Sequence, residues 1–213
     1  MNIKFLREIA PKIALIKSLY YSIKFKGIVV IGRGTKFNIH PGGKIKFKDK
    51  RASIYIGIHF SVSSGSTLDI YKNGILLVGK SVGIHKGTKV VVKENAHFTI
   101  GDSSFINENS RVLCRKKIEI GDDSSIGWHC TIADTDSHGI YINNTLTNPD
   151  SSVVIGDKVW VCANTTITKG TLIESNCIVG TNSVVLGKHL LSNNVYAGQP
   201  LRKVKEFDSW GSL

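Results

Sequence analysis

The chain has 213 residues, among them 21 glycines and four prolines, and a formal net charge of +12, a length that suffices for one domain with a sizeable core. No apolar run reaches the roughly 18 residues that a membrane-spanning helix needs, so none is predicted. The excess of positive charge indicates an anionic partner, but nucleic acid is not expected, because zinc-finger spacing and the aromatic signature of RNA-binding domains are both missing.

Residues 1–27 form the one segment that the sequence predicts to be helical. Ile16, Leu19 and Ile23 recur at steps of three or four residues between lysines, as in an amphipathic helix, and Pro11 would divide it. One interpretation is a cap that covers the first strands of the domain. The other is a basic helix that contacts an anionic membrane. The segment lacks the apolar core of a secretory signal, so we expect a cytoplasmic protein. If the helix contacts a membrane, the protein would lie peripherally at its inner face.

Residues 28–200 carry a repeat with a period of six, which is strict in its last third. There an aliphatic or small apolar residue returns at every sixth position, namely at Ile155, Val161, Ile167, Ile173, Val179, Val185, Leu191 and Ala197. Another mostly small residue follows four positions later, at Val159, Thr165, Thr171, Cys177 and Ser183. A period of six fits neither a helix nor an isolated alternating strand. It is typical of a solenoid with a narrow core and tight corners, so we predict an all-β solenoid.

The repeat is looser in the preceding part of the chain. Turns that start at Ile56, Val78, Ile100 and Ile120 are 22, 22 and 20 residues apart. The extra residues fall at one recurring corner rich in lysine, asparagine and glycine, which we interpret as small solvated turns. The four cysteines form no C-x-x-C pair, and two of them occupy small-residue positions of the repeat. We therefore expect the cysteines to pack against their neighbours as free thiols. This role fits a reducing compartment.

The pattern breaks in a polar stretch, residues 133–152, and then resumes in register. A loop of this length is not needed to fold a regular rod, and such loops are where function concentrates. Loop 133–152 is therefore the first candidate for a functional site. After residue 200 the chain is expected to leave the solenoid as a short tail, 201–213.

His138 lies within this loop, between acidic and small residues. An imidazole suits the removal of a proton from a hydroxyl because its pKa is close to the working pH. Asp136, or in second place Asp134, would fix the tautomer of the ring. The nearest other histidine, His129, is nine residues away and could line the same cleft, but no metal site is predicted from such spacing.

Three motifs resemble the hexapeptide-repeat acyltransferases, in their maltose, galactoside and polysaccharide O-acetyltransferase branch. Val154 to Val161 is similar to that branch's V-x-I-G-D-x-V-W-I, Gly198 to Val204 is similar to its G-x-P-x-[KR]-V ending, and residues 134–139 resemble the D-x-D-x-H-[GP] form. The resemblance covers about residues 30–206. It implies a left-handed parallel β-helix with three hexads per turn, acyl transfer, and a catalytic role for His138.

The resemblance also implies acetyl-CoA as the donor and places its contacts on this sequence. The implied cofactor-binding residues are Trp160, Ala163, Gly180, Thr181, Arg202 and Lys205. The backbone N–H of Ala163 would stabilise the thioester oxyanion, and Trp160 would line the cleft or pack against a neighbouring subunit. Arg202 and Lys205 would face the adenosine and its 3′-phosphate. The family's T-K-D sequence, on the adenine side, is replaced by residues 186–188.

Asn107 holds the place of the family's acceptor-binding asparagine, although a corner asparagine in a left-handed turn would fit the same position. We therefore expect an O-acetyltransferase that acts on a sugar hydroxyl, of a surface polysaccharide or its precursor, by direct attack with His138 as the base. The resemblance implies a cyclic homotrimer with sites between subunits and a carbohydrate acceptor. An amino-sugar N-acetyltransferase and a non-catalytic β-helix scaffold are the alternatives.

Overall fold

Three parallel β-sheets form the three faces of a rod, and each turn of the chain adds one strand to each face. The structure is a computed structural model that describes residues 13–58 and 65–211. The first twelve residues of the predicted helical segment, Pro11 included, lie outside these ranges. Within them the strands make seven full turns and end in one further strand pair. The prediction of a left-handed parallel β-helix is confirmed.

The strands are numbered β1 to β25 in chain order. The first face contains β1 (Ile28–Ile31), β4 (Ser53–Ile56), β7 (Val82–Ile84), β10 (Phe105–Ile106), β13 (Ser125–Ile126), β18 (Trp160–Val161), β21 (Ile178–Val179), β24 (Asn194–Ala197) and β25 (Arg202–Glu206). The second face contains β2 (Lys36–Ile39), β5 (Thr67–Ile70), β8 (Lys89–Val92), β11 (Arg111–Cys114), β14 (Thr131–Ala133), β19 (Thr166–Ile167) and β22 (Val184–Val185). The third face contains β3 (Lys44–Phe47), β6 (Ile75–Val78), β9 (His97–Ile100), β12 (Lys117–Ile120), β17 (Val153–Ile155), β20 (Leu172–Ile173) and β23 (His189–Leu190).

The core is a column of stacked aliphatic side chains with small residues between them. On the first face the column consists of Ile31, Ile56, Ile84, Ile106, Ile126, Val161 and Val179, all fully buried. The predicted small positions Val159, Thr165, Thr171, Cys177 and Ser183 are also buried. Because a turn of this rod is so narrow, apolar burial is obtained by stacking one turn on the next rather than within a turn.

In the strict segment from Ile155 to Ala197 the period of six fails once, after Val185. The corner at residues 186–188 is one residue shorter, so Leu190 is 2% exposed whereas Leu191 is 54% exposed. In the following strand Tyr196, rather than Ala197, pairs with Val179. The predicted inward positions Leu191 and Ala197 were therefore wrong by one residue, because the hexad count does not register a shortened corner.

The aspartates of the I-G-D motifs join successive turns. Asp102, Asp122 and Asp157 each accept a hydrogen bond from a backbone N–H of the preceding turn, at 3.0, 2.7 and 2.7 Å. A carboxylate that accepts from backbone N–H satisfies a donor at a corner where no strand partner exists. This part of the motif therefore stabilises the rod.

Helix α1 (Leu15–Phe25) lies across the open edge of β1. The hydroxyls of Ser18 and Ser22 accept hydrogen bonds from the backbone N–H groups of Ile31 and Val29, both at 2.9 Å. These bonds satisfy edge donors that would otherwise be open to another chain. Among the described residues, no helix has the length and hydropathy needed to cross a bilayer.

The end of the chain folds back on the rod. Strand β25 pairs antiparallel with β24, and the segment after it runs down the corner between the third and first faces. The N–H of Phe207 donates to Asn193 O at 3.0 Å, and Asn176 Nδ2 donates to Asp208 O at 2.8 Å. The segment predicted as a tail thus contacts three successive turns.

Candidate active site

A groove of about 520 Å³ runs along the outside of the first face, toward its corner with the second. It is lined by Phe105, Asn107, Ser125, Gly127, Trp128, Trp160, Cys162, Ala163, Thr181, Trp210 and Gly211. We call it the tryptophan groove, because all three tryptophans of the chain lie in its wall. None of the lining side chains is charged, so the groove suits an uncharged ligand segment with apolar and amide character.

The tryptophan wall joins two distant parts of the sequence. Trp160 is 41% exposed on β18, and its ring centroid lies 5.9 Å from that of Trp210 in the tail. Trp210 is held there because its Nε1 donates to Lys158 O at 2.6 Å. The antiparallel return of the tail therefore places an aromatic ring over the groove from the side.

Ala163 forms the floor of the groove, where its neighbours hold the backbone. Thr181 Oγ1 and the N–H of Asn182 both donate to Ala163 O, at 2.9 and 3.1 Å. The N–H of Ala163 donates to no residue in the described ranges. A Cβ added to Gly127 would come within 2.7 Å of that nitrogen. Glycine at 127 is thus required for an open backbone donor at 163, the kind of group that stabilises an oxyanion.

Cys162 is the half-buried thiol of the groove, and burial raises its pKa. A thiol with a raised pKa is protonated at neutral pH and is a poor nucleophile. Cys130 and Cys177 are buried, and burial is the largest effect that raises the pKa of each to about 11. All four cysteines are free thiols. The one thiol among the described residues of the groove is therefore not activated for the formation of an acyl-enzyme.

Asn107 lies at the N-terminal end of the groove, one turn before Gly127. Its Oδ1 lies 3.1 Å from His85 Nδ1 and accepts from the N–H of Glu108 at 3.1 Å. The imidazole of His85 stacks on Phe105, with centroids 5.5 Å apart. The structure places His85 on the groove side of the first face, in the turn that precedes the turn of Asn107.

The loop at 133–152 replaces the corner between the second and third faces and forms an antiparallel hairpin, β15 (Tyr141–Ile142) and β16 (Thr145–Leu146). Asn143 and Asn144 form its turn with φ of 49° and 60°, the backbone of a tight hairpin turn. His138 precedes the hairpin and is exposed. Its backbone carbonyl accepts from Asn148 Nδ2 at 2.9 Å, while its ring makes no hydrogen bond to any described residue.

The carboxylate of Asp136 contacts Lys169 and Asn148 instead of the imidazole of His138. Asp136 Oδ2 lies 2.6 Å from Lys169 Nζ and accepts from Asn148 Nδ2 at 2.8 Å. The Lys169 ammonium and then the Asn148 amide lower the pKa of Asp136. Lys169 Nζ also donates to Asn148 O at 2.7 Å. These bonds fix the base of the loop, with His138 held through its backbone.

Asp134, the second candidate partner for His138, is fully buried. Its carboxylate accepts from the backbone N–H groups of Arg115, Lys116 and Lys117, each at 2.7 Å. These three hydrogen bonds satisfy the buried carboxylate of Asp134, which therefore needs no contact with the imidazole of His138. Asp134 therefore anchors the start of the loop to the turn before it.

The remaining predicted positions do not line the groove. Gly180 does not line it; a Cβ there would lie 2.8 Å from Ala197 Cβ, so its small size serves packing. Arg202 and Lys205 lie exposed on β25. His129 is exposed and occupies a left-handed corner with φ of 57°. In the part of the chain that the structure describes, no three histidine, cysteine or carboxylate side chains cluster as metal ligands.

The structure brings together Asn107, Trp160, Ala163 and Thr181 and leaves His138 elsewhere. No residue of loop 133–152 lines the tryptophan groove. The groove lies on the first face, whereas the loop projects from the corner between the second and third faces. One chain thus presents the tryptophan groove and the exposed His138 on different sides of the rod.

Four residues that line the groove or contact the loop were not among the site residues predicted from the sequence. They are Trp128, Cys162, Lys169 and Trp210. Cys162 directly follows the buried Val161, and Trp128 lies two positions after the buried Ile126, so the repeat places both outside the core. The sequence around Lys169 and Trp210 does not indicate their roles, because each side chain contacts a segment that is far away in the sequence.

Comparison with known proteins finds relatives that are named as acetyltransferases. No protein-family model matches the chain. WbbJ of Escherichia coli (strain K12), named as a lipopolysaccharide biosynthesis O-acetyl transferase, is 25% identical over 166 residues, 73% of each chain. WcaF of the same strain, named as a colanic acid biosynthesis acetyltransferase, is 27% identical over 129 residues, 61% of this chain and 68% of its own.

Solved structures agree with this result. A maltose O-acetyltransferase from Clostridium difficile 630 has a TM-score of 0.53 and 29% identity, over 62% of this chain and 70% of its own. The polysialic-acid-specific acetyltransferase NeuO has a TM-score of 0.57 over 88% of this chain and 79% of its own; at 19% identity this likeness concerns the fold alone. Together with the groove and the repeat, these matches show that the chain is similar to hexapeptide-repeat acetyltransferases.

Proposed function

We propose that the protein transfers acetyl from acetyl-CoA to a sugar hydroxyl, of a surface polysaccharide or its precursor. The observation that carries the proposal is the tryptophan groove, which collects four of the residues that the sequence assigned to donor and acceptor binding. WbbJ and WcaF, by their names, belong to the biosynthesis of lipopolysaccharide and colanic acid. The same acceptor class is proposed for this chain.

The groove is proposed to hold the pantetheine arm and the thioester. This part of coenzyme A is uncharged and carries amide groups, which fits a wall without charged side chains. The open N–H of Ala163 would donate to the thioester oxygen as it becomes an oxyanion. The phosphates require cations, and Arg202 and Lys205 lie exposed on β25 to supply them.

His138 is proposed as the general base. It removes the proton of the acceptor hydroxyl as the oxygen attacks the thioester carbonyl, and coenzyme A leaves as the thiol. Asp136 is proposed to position the loop through Lys169 and Asn148, since its carboxylate contacts these two residues in the structure. A direct transfer is favoured because the groove holds no thiol with a lowered pKa.

The separation of groove and loop supports a site between chains. Each chain presents the groove on one side of the rod and His138 on another. A cyclic homotrimer would bring the loop of one subunit against the groove of the next, with three equivalent sites. Free thiols throughout the chain fit the cytoplasm, where we place the reaction, with a peripheral contact at the inner face of the membrane.

The test is thiol release from acetyl-CoA across a panel of sugars, sugar nucleotides and anionic polysaccharides. Release that depends on one acceptor class is the expected result. Alkali distinguishes the products, because an O-acetyl ester is hydrolysed under mild conditions and an N-acetyl amide is not. No release with any acceptor, together with no binding of coenzyme A in a thermal-shift experiment, would contradict the proposal and favour a non-catalytic β-helix.

A further inference from the structure

Helix α1 buries one face and exposes the other, and the exposed face is apolar. Ser18, Tyr21, Ser22 and Phe25 face the rod. The opposite face consists of Leu15, Ile16, Leu19, Tyr20 and Ile23, which are 66%, 88%, 63%, 56% and 70% exposed. An outward helix face in a soluble protein normally carries polar residues. A contiguous apolar patch of this kind marks an interaction surface.

The same end of the rod carries an excess of positive charge. From Ile13 to Phe47 the sequence contains seven lysines and arginines and no aspartate or glutamate. Lys17 and Arg33 line a depression together with Leu15, Ile16 and Tyr20. No acidic residue occurs in α1 itself. Apolar side chains and cations thus occupy one surface.

We propose that this surface, the outer face of α1 with its flanking cations, docks on an anionic lipid bilayer. A helix with an apolar face and basic flanks lies in the plane of the membrane interface. Its aliphatic side chains enter the boundary of the acyl chains while lysines contact the headgroups. An apolar partner protein would not require seven cations, whereas an anionic bilayer is complementary to both features.

Docking at this end leaves the proposed chemistry free. The helix lies at the first turn of the rod, whereas the tryptophan groove spans the turns from β10 to β21. The rod would then stand on the membrane with its groove several turns away from the lipid. An acceptor attached to a membrane lipid would be held near the groove by this arrangement. The docking itself does not depend on acetyl transfer.

The experiment is co-sedimentation of the full chain with lipid vesicles. One set contains phosphatidylcholine and phosphatidylglycerol in equal amounts, and the other contains phosphatidylcholine alone. We expect binding to the anionic set that weakens as salt is raised, because screening shortens the reach of surface charge. Binding to neither set, or equal binding to both, overturns the proposal.

Variants assign the binding to α1. Ile16→Ser with Ile23→Ser removes two exposed side chains without touching the core, and should weaken vesicle binding by roughly tenfold or more. Lys24→Gln with Lys26→Gln should weaken it by about fivefold for each charge. The matched controls, Leu172→Ser with Leu191→Ser and Lys72→Gln with Lys89→Gln, change exposed residues elsewhere on the rod and should bind as the wild type does.

Two further readouts separate the possible occupants of the face. If the isoleucine variant binds vesicles normally but loses self-association in sedimentation equilibrium, the face contacts a second copy and the proposal is wrong. Thiol release with a soluble acceptor is measured on the same variants. Retained release with lost vesicle binding supports docking, whereas absent release in the wild type contradicts the proposed reaction and leaves the vesicle result standing.

Discussion

The tryptophan groove and the loop at 133–152 are built in opposite ways. The groove is made from regular positions of the repeat, so each of its strand residues is set by the stacking of turns. The loop departs from the repeat and is fixed by side-chain bonds among Asp136, Asn148 and Lys169. In the proposed reaction the rigid floor would hold the thioester, and the separately held His138 would act on the acceptor hydroxyl.

The difference shows where the chemistry can vary. Changing the groove disturbs neighbouring turns, because its residues also pack the rod. Changing the hairpin of the loop should leave the rod intact, because both of its strands are exposed. Variants of the two regions should therefore separate the binding of the donor from the chemical step.

The largest effect is expected from His138→Ala. Loss of a general base should lower the rate of transfer by roughly 10²- to 10⁴-fold. Binding of coenzyme A should be unchanged, since His138 does not line the groove. Thiol release measures the first quantity, and intrinsic fluorescence measures the second, because all three tryptophans line the groove. Transfer at the wild-type rate would show that His138 is not the base.

Gly127→Ala should come next, because the added Cβ would lie 2.7 Å from the nitrogen of Ala163. A displaced backbone donor of this kind should lower kcat by about ten- to hundredfold. Gly211→Ala is the matched control, since a Cβ at that position of the groove meets nothing within 4 Å. Equal rates for the two variants would exclude a role for the Ala163 N–H.

Trp210→Ala should have a smaller effect, on binding. Removal of the ring opens one side of the groove and loses its contact with Trp160, so the Kd of coenzyme A or acceptor should rise roughly two- to tenfold. Trp210→Phe keeps an aromatic ring but loses the hydrogen bond to Lys158 O. Its Kd should therefore lie between that of the wild type and that of Trp210→Ala. A Kd that is unchanged for every ligand would mean that the tail only covers the corner.

Asp136→Asn should have the smallest effect, less than about fivefold on kcat, because an exposed ion pair contributes little. Lys169 and then Asn148 lower the pKa of Asp136, so its ion pair with Lys169 persists to a lower pH than an ordinary aspartate would allow. Stabilisation from this pair is present above the pKa of an unfolded aspartate and is lost as the pH falls through the lowered value. The wild type and the variant should therefore converge in thermal stability at low pH. A fall in rate as large as that of His138→Ala would instead indicate direct contact with the base.

The repeat predicted the fold, whereas the residues Trp160, Ala163 and Thr181 were implied by the family resemblance. Trp160, Ala163 and Thr181 meet for the reason that strands one turn apart are stacked. The hexad count misplaced Leu191 and Ala197 by one residue, because counting in steps of six does not detect a shortened corner. It did not predict the contact of Trp210 with Trp160, because a tail that folds back obeys no period. The partner of Asp136 was likewise hidden, since Lys169 belongs to the next turn.

The central claim is that groove and base come from different chains, and mixed assemblies test it directly. His138→Ala is co-expressed with Ala163→Trp, which fills the groove, and assemblies that carry both tags are isolated. Each variant alone should be inactive. In a mixed cyclic trimer about one interface in three joins an intact loop to an intact groove, so thiol release should return to about that share of the wild-type rate. Mixed assemblies that stay inactive would contradict a site between subunits.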